Sequence, residues 1–133
     1  MRRSGILIIA FIAILFSAIT SQAQQKGSTQ VGKIEVIQFH SDHRCMTCLK
    51  IEKLTKATLA AYFADVPFVL VNVDDKKNVQ KAEAFEATGT ALYLYNPKTR
   101  KKKDLTDFAF MKASDEKKFE AELKKHIEDF IKS

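Results

Sequence analysis

With 133 residues and 15.1 kDa the chain has room for a single domain, which excludes multi-domain enzymes and large cofactor-binding folds. Hydrophobic residues at 46% beside 29% charged exclude wholesale disorder, and two Pro with four Gly exclude collagen-like or linker sequence. The formal net charge is +6, and no nucleic-acid motif accompanies it, so no nucleic-acid partner is expected.

The N-terminus reads as a targeting segment. Arg2 and Arg3 precede an apolar run from Ile6 to Phe16, and Ser21, Gln22 and Ala23 supply a small-x-small cleavage pattern. Residues 1–23 are therefore expected to be a signal peptide and 24–32 a flexible lead-in, leaving residues 33–133 as the folded domain of an exported, periplasmic or extracellular protein. The apolar run is shorter than the roughly 20 residues a spanning helix needs, so a membrane is expected as a partner only if the segment is retained.

Lys33 to Phe39 is β-branched and apolar enough for a strand buried on both faces. From Cys45 to Phe63 the residues Cys48, Ile51, Leu54, Thr58 and Ala61 recur at three- and four-residue spacing, which predicts a helix beginning at the cysteines. Phe68 to Val73 is a second strand, and Asp74 and Asp75 can cap a helix over 76–87 that Gly89 stops. Thr90 to Tyr95 is a third strand, turned at Asn96-Pro97-Lys98 into a fourth over 101–107. Lys98, Arg100, Lys101, Lys102 and Lys103 there read as a solvated hairpin end guarded against edge pairing. Ser114 is the expected N-cap of a last helix with Phe119, Leu123, Ile127, Phe130 and Ile131 as its apolar stripe, and His126 as an exposed histidine on its polar flank. The order β-α-β-α-β-β-α predicts an α/β three-layer sandwich, with a mixed four-stranded sheet and helices on both faces.

Chemistry concentrates at Cys45 and Cys48, the two cysteines of the chain. Three apart at the start of a helix, they share a face, and the first meets unpaired backbone N–H groups and the positive end of the helix dipole, which favour thiolate. Cys45 is then the nucleophile, with His43 and Arg44 adding positive charge, and Cys48 the resolving thiol of a thiol–disulfide oxidoreductase whose partner is a protein thiol or disulfide. That chemistry needs no cofactor, and a monomer suffices for it.

Two other readings use the same residues. A static bridge closing so short an interval restrains the unfolded chain little. His40, His43, Cys45 and Cys48 together offer four N and S ligands that would suit Cu(I) or Zn, making a metal-binding module the alternative.

The strand IEVIQF leading to RCMTC, the segment VLVNVDD and the hairpin TGTALYLYNPKT together resemble the thioredoxin fold over about Lys33 to Ile131. More narrowly, FHSDHRCMTC with GTALYLY is similar to small exported thioredoxin-like proteins of the nitrophenyl compound nitroreductase subunit family, which implies an accessory subunit of a nitroaromatic reductase as a further possibility. The resemblance implies redox roles for Cys45 and Cys48 and a substrate-facing position for Gly89 and Thr90. It also marks departures. The family's cis-proline is replaced by Gly89-Thr90-Ala91, a change that in the family would favour metal at the cysteines. The buried acid of its first strand falls at or near Gln38, and the aromatic before its first cysteine is Arg44 here. A carboxamide cannot act as a general base, so a specialised partner or direction of electron flow is implied.

Overall fold

The computed structural model describes residues 34–133; the expected signal peptide and lead-in lie outside the described residues. Four strands form one mixed sheet in the order β2-β1-β3-β4. They are β1 (Glu35–His40), β2 (Phe68–Asn72), β3 (Ala91–Asn96) and β4 (Lys101–Asp104). β1 runs parallel to β2, with Val36 opposite Phe68, and antiparallel to β3, with Phe39 opposite Ala91; β3 and β4 form the antiparallel hairpin. The helices are α1 (Met46–Tyr62), α2 (Val79–Ala84), α3 (Thr106–Lys112) and α4 (Glu116–Lys132), with a 3-10 turn at Lys76–Asn78 before α2. A mixed α/β architecture thus stands as expected. Among the described residues, no helix is long and apolar enough to cross a membrane.

Side-chain alternation along β1 divides the core in two. Ile34 and Val36 face one layer, where they meet Leu92 and Leu94 of β3, Ile51 and Leu54 of α1, Ala109 of α3 and Phe119, Leu123 and Ile127 of α4. Ile37 and Phe39 face the other, with Val71, Phe85, Ala87, Ala91 and Tyr93. Rings dominate this second layer: Phe39, Phe85 and Tyr93 lie with centroids 5.1 to 5.9 Å apart, and Tyr95 stands edge-on to Phe85 at 5.1 Å. Burial on both faces explains why the four central residues of β1, Val36 to Phe39, are apolar but for one, with polar Glu35 and His40 confined to the half-buried ends. Gln38, with no exposed surface, is the exception.

Several local expectations need correction. The second helix does not fill 76–87: a 3-10 turn precedes it, α2 ends at Ala84, and Glu86 turns the chain away in the left-handed region at φ 54°. Gly89 itself is not in that region, and a Cβ there would meet nothing within 4 Å, so glycine is not what stops the helix. The fourth strand ends at Asp104, and the residues expected to extend it to 107 instead open α3. Asp104 Oδ1, one residue outside the Leu105 cap, accepts the Thr106 N–H at 2.8 Å, and the Thr106 hydroxyl accepts the Leu92 N–H at 3.1 Å, so the chain turns into the helix there.

The cap of α4 is Asp115, accepting from Lys118 N, with Ser114 one residue outside. His126 is half-buried rather than exposed: Phe108 stands edge-on to its ring at 4.9 Å and the Lys103 Nζ lies 3.2 Å from its Nδ1. Burial, with the Lys103 charge beside it, holds His126 below its usual range. The lysines of the hairpin are not a free solvated end either. Lys102 Nζ donates to Ala84 O and lies over the Phe85 ring, and Lys101 Nζ donates to Ser133 Oγ and lies over the Phe130 ring. Lys98 and Arg100 do remain exposed, around a turn in which Asn96 Oδ1 accepts the N–H groups of Lys98 and Thr99.

Candidate functional site

Cys45 and Cys48 form a disulfide, and the chain has no other cysteine. Their placement follows from the end of β1. After His40 the chain leaves the sheet and is pinned by a small polar network. Asp74 Oδ2 accepts the Asp42 N–H at 2.7 Å, Asn72 Nδ2 donates to Asp42 Oδ1 at 2.6 Å, and Asn72 Oδ1 accepts the Asp74 N–H at 3.0 Å. The loop from β1 is thereby fastened to the end of β2. Cys45 then takes the N-cap position of α1 with extended backbone, φ −76° and ψ 158°.

At that cap the sulfur does what a serine or aspartate oxygen does elsewhere: Cys45 Sγ accepts the Cys48 N–H at 3.1 Å. The expected meeting of the first cysteine with the unpaired N–H groups of the helix is therefore present. Exposure separates the two residues. Cys45 is exposed, whereas Cys48, one turn into α1, is 4% exposed and faces the sheet. An incoming sulfur can reach the first and not the second.

Beneath Cys48 lies Gln38, whose Nε2 donates to Cys48 O at 3.0 Å while its Oε1 has no partner among the described residues. The residue expected near the buried-acid position is thus inside the site, as a carboxamide.

Arg44 plays a different part from the one its sequence position suggests. Its guanidinium pairs with Glu52 at 2.5 Å, and Glu52 also accepts from Lys56. Burial alone would raise Glu52, but hydrogen bonds from Lys56 and Arg44 hold its carboxyl below the usual range. Much of the Arg44 charge is therefore answered by the helix rather than directed at sulfur. His43 is exposed, with its carbonyl accepting from the Ser41 hydroxyl, and His40 Nδ1 lies 2.9 Å from Ser41 O. Among the described residues no three His, Cys, Asp or Glu side chains converge as a metal-holding group, so His40, His43, Cys45 and Cys48 are not brought together as a ligand set.

Gly89 and Thr90 precede Ala91, which pairs with Phe39, so they lie at the start of the interior strand β3, beside the end of β1 that leads into the cysteine loop. No contact between them and sulfur defines a role. The peptide bonds of the described residues are all trans.

A feature not legible in the sequence is an open groove of about 550 Å³ that borders the cysteines. Met46 and Thr47, the two residues between the cysteines, line it with Leu49 and Lys53 from α1, Phe110 from α3 and Ala113 beyond it. Its apolar side chains are unusually open: Met46 is 82% exposed, and Leu49 and Phe110 42% each. The groove depends on α3, whose first two residues fall in the expected fourth strand and whose remainder falls in no expected element.

No protein-family model matches the chain, and no curated protein matches it. A solved structure described as "Structure of a malarial protein" is 21% identical, with a TM-score of 0.42, over 60% of this chain and 94% of that one.

Proposed function

We propose that this chain is a thioredoxin-like thiol–disulfide oxidoreductase that exchanges electrons with a partner protein through Cys45 and Cys48. The observation that carries the reading is the unequal placement of the two sulfurs: one exposed at the N-cap of α1 and bonded to a helix N–H, the other buried one turn deeper. A thiolate formed at Cys45 keeps that N–H and the positive end of the helix, so its charge is favoured where a partner disulfide can reach it. Its attack breaks the partner's S–S bond and forms a mixed disulfide. Cys48 then attacks Cys45 Sγ from within, expelling the reduced partner and restoring the internal bond, with two electrons passed in all.

A sheet order of β2-β1-β3-β4, with the βαβ unit carrying the cysteines at the carboxyl end of β1, supports the thioredoxin-like assignment. The groove beside Met46 is where a partner segment would lie, which makes a protein a better substrate than a small thiol. An oxidising compartment outside the cytoplasm suits a chain that holds this bridge and begins with an export-like segment. Within this proposal Gly89 and Thr90 border the partner's backbone.

The deciding experiment is equilibration of the protein in glutathione buffers of stepped ratio, with alkylation and mass measurement of the two cysteines. A reversible two-electron transition is expected, and Cys48→Ser should accumulate mixed disulfides with proteins. A bridge that resists every buffer and a variant that traps nothing would mark a static disulfide instead.

A further inference from the structure

Gln38 is a fully buried amide in a strand whose neighbours are Val36, Ile37 and Phe39. Such a group is costly to bury unless both of its ends find partners. One end does: Nε2 donates to Cys48 O at 3.0 Å. The other, Oε1, is a buried acceptor with no donor among the described residues. The amide is anchored on the residue whose sulfur is also buried, and in the disulfide that sulfur carries no hydrogen to offer.

Reduction changes the local inventory of donors by one. Two glutathione thiols surrender two electrons and become glutathione disulfide, the Cys45–Cys48 bond breaks, and of the two protons released one goes to Cys48 Sγ. The other goes to Cys45 or to solvent. A thiol is a weak donor, but an acceptor already stripped of water gains from any donor that reaches it.

Resting on the redox reading above, we propose that Gln38 is a positioning residue for the dithiol state: once the bridge opens, the Cys48 S–H donates to Gln38 Oε1, and this bond biases the pair toward reduction. The Nε2 bond to Cys48 O is available in both states and cancels from the difference. Because a carboxamide does not titrate, the bias it supplies does not change with pH as long as Cys48 keeps its proton.

The test replaces Gln38 by methionine, which has similar volume and no acceptor of comparable strength. The thiol–disulfide equilibrium constant against glutathione at pH 7 should move about tenfold toward the disulfide, corresponding to about 30 mV for a two-electron couple. Melting temperature should fall further for the reduced than for the oxidised form. A constant unchanged within twofold, or equal destabilisation of both forms, overturns the proposal.

Should the methionine variant not fold, Gln38→Glu decides. It keeps an acceptor but makes it titratable, so the equilibrium constant should acquire a pH-dependent step absent from the parent protein; superimposable pH profiles would refute the assignment. Failure of the parent protein to equilibrate with glutathione at all would instead remove the redox reading on which the proposal stands.

Discussion

Two substitutions at one position measure how much the N-cap bond contributes to reactivity. Cys48→Ser leaves Cys45 as the lone thiol and keeps the residue 48 N–H that Cys45 Sγ accepts at 3.1 Å. Cys48→Pro removes the same thiol and the N–H together. Residue 48 lies in the first turn of α1, where N–H groups have no intrahelical acceptor, so proline costs no helix bond there. A hydrogen bond to a charged acceptor contributes about 1.5–3 kcal/mol net, against about 0.5–1.5 kcal/mol for a neutral pair. The excess that favours thiolate over thiol is therefore about 1–1.5 kcal/mol, or about tenfold in thiolate population at 1.4 kcal/mol per decade. The dipole of α1 is common to both variants and drops out. Iodoacetamide alkylation at pH 7 should run about tenfold faster in the serine variant than in the proline variant. Equal rates, with circular dichroism showing α1 intact in both, would refute the idea that the helix N–H primes Cys45.

Further outcomes are expected elsewhere in the molecule. Tyr93, buried with its hydroxyl donating to Phe85 O at 2.8 Å, is pushed up to about 12 by burial and by the Asp104 carboxylate opposite it. A raised folded value means its contribution is complete below pH 10 and is lost as pH rises toward 12, about 3 kcal/mol at most for two units. Urea denaturation at pH 9 and pH 12 should show a steeper loss for the parent than for Tyr93→Phe, and parallel losses would contradict this. Leu49→Ser and Phe110→Ser should slow exchange with protein disulfides severalfold while leaving exchange with glutathione disulfide unchanged; stopped-flow rates with both oxidants separate the groove from the sulfur. Asp74→Ala should lower stability by about 1 kcal/mol through loss of the Asp42 N–H bond, read as a shifted urea midpoint.

What the sequence made legible, and what it hid, follows from the range of the forces involved. The start of α1 at Cys45 was readable because helix caps and three-to-four spacing are local signals. The buried faces of β1 and β3 were readable because strands enclosed by helices are apolar throughout. By contrast, α3 is only seven residues long and follows a lysine-rich strand without a Gly or Pro to mark the change. The reach of Lys102 to Ala84 O and of Lys103 to His126 spans 18 and 23 residues, and Arg44 meets Glu52 two turns into α1. Such pairings are set by the packed fold, so composition gave Arg44 to the sulfur and the lysines to solvent. Gln38 stood between: its identity flagged a departure, but only the fold places its amide on Cys48 O with one end unanswered.

The aromatic cluster on the far side of the sheet has a mechanical consequence. Phe39 follows Gln38 directly and sends its ring the opposite way, to be wedged among Phe85 and Tyr93. The strand that carries the amide is thereby clamped from a side that never meets sulfur. On the proposed redox reading, opening of the bridge would disturb one surface of β1 while the ring cluster holds the other, so the strand would serve as a fixed floor for the change.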